Sequence, residues 1–214
     1  MRKGLVPLLS ALWISVIVLF TVEITIVSLL RYFTKTQTPP EIILANAYAH
    51  PYLIIHVIGG MIALVLGPLQ FVPWIRNRLP ALHRVSGRIY VAACAIGAPA
   101  GFMLALGTIA GPIASIGFAI PALLWPVFTY LGVRCAMERR IEEHRRWMLR
   151  SYAITANAIT LRILLPAAGL LGFEFLGAYR IIAWLGWVVN LALVELYMRR
   201  SIVPQSSESQ LASA

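Results

Sequence analysis

Six apolar runs, near residues 5–30, 50–73, 88–107, 112–136, 151–173 and 179–198, leave this chain little freedom in what it can fold into. Each is long enough for the ~20 residues an α-helix needs to cross a hydrocarbon layer. No water is available there to satisfy backbone amides, so runs of this length are helices and not strands. The reading is an all-α bundle of about six transmembrane helices. Residues 1–200 form a single transmembrane helical domain, and residues 201–214 form a small, polar, disordered cytoplasmic tail. With 60% hydrophobic residues in 214, no separate soluble domain is expected.

Basic residues fix an expected orientation. Arg2 and Lys3, then Arg76, Arg78, Arg84 and Arg88, then Arg134, Arg139, Arg140, Arg145, Arg146 and Arg150, and finally Arg199 and Arg200 fall on one side of a six-span path. The other side holds Arg31, Lys35 and Arg180, while Arg162 is left inside the fifth span. This bias places both termini in the cytoplasm of a bacterial inner membrane. The net charge of +10 is then matched to the lipid bilayer and its anionic inner-leaflet lipids, not to nucleic acid. The first run, behind Met1-Arg2-Lys3, is too long for a signal-peptide core and lacks an A-x-A-like cleavage site, so it is expected to remain as a helix.

Breakers place the connections. Pro39-Pro40 marks an outer loop, Pro73 and Pro80 bracket a basic turn from Trp74 to Leu82, and Gly107 with Gly111-Pro112 makes a tight outer turn. From Glu138 to Arg150 the pairs Arg139–Glu143 and Glu142–Arg146 stand four apart, the spacing of partners on a helix surface, so a helix is expected to project into the cytoplasm. Gly59-Gly60, Gly67-Pro68, Pro99, Gly101, Pro121 and Pro126 suit close helix approach or kinks. Trp74, Trp147, Tyr32 and Tyr179 flank spans as interface anchors. Cys94 and Cys135 follow no metal or disulfide pattern and read as buried thiols.

Two segments resemble each other. His83-Arg84-Val85-Ser86-Gly87-Arg88-Ile89-Tyr90 and His144-Arg145-Arg146-Trp147-Met148-Leu149-Arg150-Ser151-Tyr152 each run His-Arg, a gap, then Arg-x-Tyr, at the inner ends of the third and fifth spans. Positive-inside loops are rich in arginine without any further purpose, but the repeated His and Tyr go beyond that. Bis-histidine ligation of a haem b needs two imidazoles on facing helices with cationic partners for the propionates. His83 and His144 are the possible iron ligands, with Arg84, Arg88, Arg145, Arg150, Tyr90 and Tyr152 around the cofactor. The leading expectation is therefore a haem or quinone-type redox cofactor near the cytoplasmic face, with a redox partner that the sequence does not identify. One alternative is a transporter or binding protein for a small anionic ligand or lipid headgroup, and another is a membrane scaffold.

At these positions the chain resembles the uncharacterised bacterial membrane proteins catalogued as domain of unknown function 2306. The resemblance runs from about His56 to Glu195. It rests on His56, Gly67-Pro68-x-Gln70-Phe71, His83-Arg84 with Gly87-Arg88-x-Tyr90, His144-Arg145-x-Trp147-Met148-x-Arg150-Ser151-Tyr152, Arg162, and Trp187 with Asn190. It implies a multi-pass membrane protein and brings no activity with it.

A buried polar network is also expected. At ~1.5 Å per residue, Arg162 lies ~18 Å beyond Arg150, near the midplane, where an ionised side chain requires a partner. Glu23 and His56 are the candidates, while Gln70, Asn157, Asn190 and Glu195 add polar groups toward the inner half. No H-E-x-x-H motif, Cys/His quartet, Walker loop, G-x-S-x-G elbow or G-x-G-x-x-G fingerprint is present, which disfavours zinc, hydrolytic and nucleotide chemistry.

Overall fold

The computed structural model describes residues 19–34 and 41–200, and within them every regular element is helical. Residues 19–33 form α1, followed by α2 (Glu41–Leu44), α3 (Ala49–Phe71), α4 (Pro73–Arg78), α5 (Pro80–Leu106), α6 (Pro112–Met137), α7 (Ile141–Thr155), α8 (Asn157–Leu170) and α9 (Phe175–Arg200). Five stretches are long and apolar enough to cross a membrane: α3, α5, α6, the α7–α8 pair taken together, and α9. The first expected run, 5–30, lies partly outside the described residues, as do Lys35, Pro39-Pro40 and the tail 201–214. The described residues thus carry five of the six expected spans.

Proline acts differently from the expected breaker. Pro73 and Pro80 each take the first turn of a helix, where the missing N–H costs nothing and the fixed φ favours entry. The segment Trp74 to Leu82 is therefore not an irregular turn. It is the short helix α4, one linking residue and the start of α5, and it carries His83, Arg84, Arg88 and Tyr90 onto a continuous helix.

The chain divides into two compact units, with the boundary between Leu123 and Leu124. In the first, α3 and α5 form the principal packed pair. Contact at Gly59 is backbone to backbone: a Cβ there would stand 2.9 Å from the Ala93 carbonyl oxygen and 2.9 Å from the Gly97 Cα. Small residues allow this approach where the hydrophobic effect cannot drive helices together. Ala93, Cys94, Gly97 and Ala98 continue the buried face of α5, and Tyr90 is 1% exposed.

In the second unit, α9 packs along both α7 and α8, and the later part of α6 meets α7 through side-chain contacts. The expected fifth span is a broken passage, Ile141–Leu170, interrupted at Ala156. Between α6 and α7, Arg139 has a positive φ of 60° and so lies off the helix surface. Four-residue spacing therefore does not bring it to Glu143. Arg140 pairs with Glu143 and Glu138 instead, and Arg134 Nε donates to Glu138 at 2.8 Å. These guanidinium bonds, Arg134 first and then Arg140, hold the Glu138 carboxyl below its ordinary range, while Glu143 and then Glu138 raise Arg140. Glu174 caps α9 by accepting from the backbone N–H groups of Leu176 at 2.8 Å and Gly177 at 2.6 Å. Those bonds hold its carboxyl low.

Candidate functional site

α7 is held on two sides. His144, Met148 and Ser151 recur at three- and four-residue spacing and so share a stripe. His144 Nδ1 lies 2.7 Å from the carbonyl oxygen of Gly132 on α6. A carbonyl can only accept, so Nδ1 carries the proton, and in the neutral ring Nε2 is left with the lone pair. Gly132 makes this approach possible, because a Cβ there would stand 2.6 Å from Met148 Sδ. One turn on, Ser151 and Thr129 hydroxyls meet at 2.7 Å, with Thr129 donating to the Trp125 carbonyl at 2.8 Å. Both are buried.

The flank toward α9 carries Arg150. Its Nε and Nη2 donate to the two carboxylate oxygens of Glu195 at 2.6 and 3.1 Å, a bidentate fork with side chains 22% and 38% exposed. The same guanidinium carbon lies 4.6 Å from the ring centroid of Trp147, and Trp147 packs on Phe128 at 5.6 Å. Phe128, Trp147, Arg150 and Glu195 thus run in series from α6 across α7 to α9. Trp147, expected as an interface anchor, takes a place in that series and is partly exposed.

At Ala156 the helix is interrupted, and Asn190 of α9 bridges the gap. Its Nδ2 donates to the Ala153 carbonyl at 3.1 Å, an oxygen that an uninterrupted helix would satisfy with the amide of residue 157. Its Oδ1 accepts from Thr160 at 3.0 Å. Asn157 lies against Gly186, where any Cβ would collide with its amide oxygen. Arg162 is partly buried, and Nη1 donates to the Ala158 carbonyl of its own helix at 3.2 Å.

In the first unit His56 Nδ1 is 2.9 Å from the Gly97 carbonyl, and Gly101 leaves room for the ring, since a Cβ there would stand 2.7 Å from Nδ1. Gln70 donates to Ser86 at 2.7 Å, and Ser86 donates to the Leu82 carbonyl at 2.7 Å. His83 is partly buried, Arg84 and Arg88 are exposed, Tyr90 is buried, and Glu23 is exposed on α1. Among the residues of the expected network, His56 pairs with Gly97, Gln70 with Ser86, Asn190 with Ala153 and Thr160, and Arg150 with Glu195.

The repeated segments occupy unlike settings. Arg88 is exposed, whereas its counterpart Arg150 is bound to a carboxylate. Sequence reading identified both Arg150 and Glu195 but did not join them, because 45 residues separate them and no local spacing links them. It also passed over Gly132, Thr129 and Thr160. Small and hydroxylated residues are ordinary in membrane helices, so they gave no signal. Cys94 and Cys135 are both buried and form no disulfide, as expected. No cluster of three or more His, Cys, Asp or Glu side chains able to hold a metal ion occurs among the described residues.

Apolar helices of membrane-crossing length, joined by short basic connections and internally paired polar groups, define a multi-pass helical membrane protein. The chain belongs to the family described as predicted membrane protein (DUF2306), whose model matches residues 53–198, more than half its length. No curated protein and no solved structure matches it.

Proposed function

We propose that this membrane protein holds a redox cofactor of the b-type haem class, with His144 as an axial ligand at the cytoplasmic side of a bacterial inner membrane. The observation that carries the reading is the Nδ1 contact of His144 with the Gly132 carbonyl. Metal-bound histidines depend on such a bond, which fixes the tautomer, orients the ring and raises the basicity of the other nitrogen. Arg145 and Arg146 follow directly on α7, are exposed, and are suited to propionate carboxylates. When bound, such a group supplies one-electron transfer.

The test is the absorption spectrum of membranes from cells expressing the full chain with abundant haem. Wild type should show a Soret band that narrows and intensifies on reduction. His144→Ala should abolish or severely weaken it. A wild type without the band, or an unaltered band in His144→Ala, rejects the proposal.

A further inference from the structure

We infer that the α4–α5 corner binds the headgroup of an anionic phospholipid through Arg84 and Arg88, supported by Arg76 and Arg78. This inference does not depend on the haem reading.

Uncompensated charge is the first observation. Between Glu41 and Glu138 the chain has no acidic residue at all. Arg134, Arg140 and Arg150 are each bound to a glutamate, but the guanidinium groups of Arg76, Arg78, Arg84 and Arg88 form no ion pair or hydrogen bond among the described residues. All four are exposed. Four exposed guanidinium groups within thirteen residues, none paired with a carboxylate among the described residues, form a cationic patch open to an external anion.

The sidedness of α5 identifies that anion as a lipid. At about 100° per residue, Arg84 and Arg88 lie within about 40° of each other on one flank. Leu82, Val85 and Ile89 lie within about 60° on another flank, about 110° away, and are 47%, 52% and 46% exposed. The third side holds the buried Ser86, Tyr90 and Cys94. A bare apolar stripe at the start of a membrane-crossing helix faces acyl chains, so the arginines beside it stand at headgroup level. Trp74 on α4 is 62% exposed and marks the same level, where its amphipathic ring is favoured. A soluble anion would use the cations and leave the apolar stripe and Trp74 without a role, whereas a phospholipid matches all three. Arginine forks suit phosphate oxygens, and the attraction falls with salt.

The full chain would be reconstituted in vesicles of equal phosphatidylglycerol and phosphatidylcholine, extracted in mild detergent, and analysed for co-purified lipid by headgroup. Wild type should be enriched in phosphatidylglycerol, and added salt should reduce the enrichment. Arg84→Gln/Arg88→Gln should lower affinity for that lipid roughly 10- to 30-fold. Arg84→Lys/Arg88→Lys should retain most of it, which separates lost charge from misfolding. Arg199→Gln/Arg200→Gln, at the end of α9, should retain it in full. Undiminished enrichment in the Gln pair, equal loss in the α9 pair, or no enrichment in wild type overturns the inference. Displacement of the lipid by inorganic phosphate at comparable concentration would identify a soluble-phosphate site and overturn the lipid assignment.

Discussion

At Arg150, three interactions meet on one guanidinium: two hydrogen bonds to Glu195 and the face of Trp147. Removing it strands a partly buried carboxylate, so Arg150→Ala should destabilise the protein by about 1–3 kcal/mol, a range reduced from fully buried pairs because both side chains retain some solvent contact. Glu195→Gln should cost less, since the neutral amide still accepts from the arginine. The pair should be strongly coupled, and additive losses in a double-mutant cycle of detergent unfolding would disprove the fork. Glu174 gives a pH prediction. Its carboxyl is held low in the folded state, so its capping contribution is complete above the ordinary carboxylate value and is lost as pH falls through the lowered folded value. Thermal unfolding across that acidic window should fall less steeply for Glu174→Gln than for wild type, and parallel curves would remove the cap from the account. Much of the residue chemistry was legible beforehand: Arg150, Glu195, Asn190 and His144 were all singled out as polar groups in an apolar chain. Their partners were not, because hydrogen-bond pairing across 12 to 45 residues depends on helix rotation, which sequence spacing within one helix does not reveal.

Helices were easier to read than their ends. The boundaries of α3 and α6 fall within two residues of the expected runs, because long hydrophobicity and membrane thickness constrain the same length. α5 begins eight residues earlier than expected, since the basic stretch after Pro80 is polar enough to resemble a loop yet helical in propensity. The break at Ala156 was invisible, with neither proline nor glycine at that position to announce it. Among the contacts between elements, the α3–α5 approach is the least forgiving. Gly59→Ala places a methyl within 2.9 Å of backbone atoms on α5, and backbone cannot move aside as a flexible side chain would. A loss of about 1–3 kcal/mol is expected for Gly59→Ala, while Gly60→Ala, with nothing within 4 Å, should be nearly neutral. Equal unfolding midpoints for the two variants would contradict the packing described.

For the molecule as a whole, orientation is the property most open to direct measurement. Reporter fusions should place residues 76–84, 139–146 and the segment after Arg200 in the cytoplasm, and residues 107–111 outside. A periplasmic report from residues 139–146 would reverse the assignment and with it the cytoplasmic placement of His144. The membrane class could be read from apolar length alone, whereas the division into two compact units could not, because the apolar content is much the same on either side of Leu123. Asn190 adds a constraint in time. A ribosome delivers α7 and α8 before α9, so the Ala153 carbonyl enters the bilayer before the amide that will satisfy it has been synthesised. Until then the interrupted passage carries an exposed polar defect that water or a chaperone must cover. The hydrogen bonding of the second unit is therefore complete only once α9 has docked against the interrupted passage.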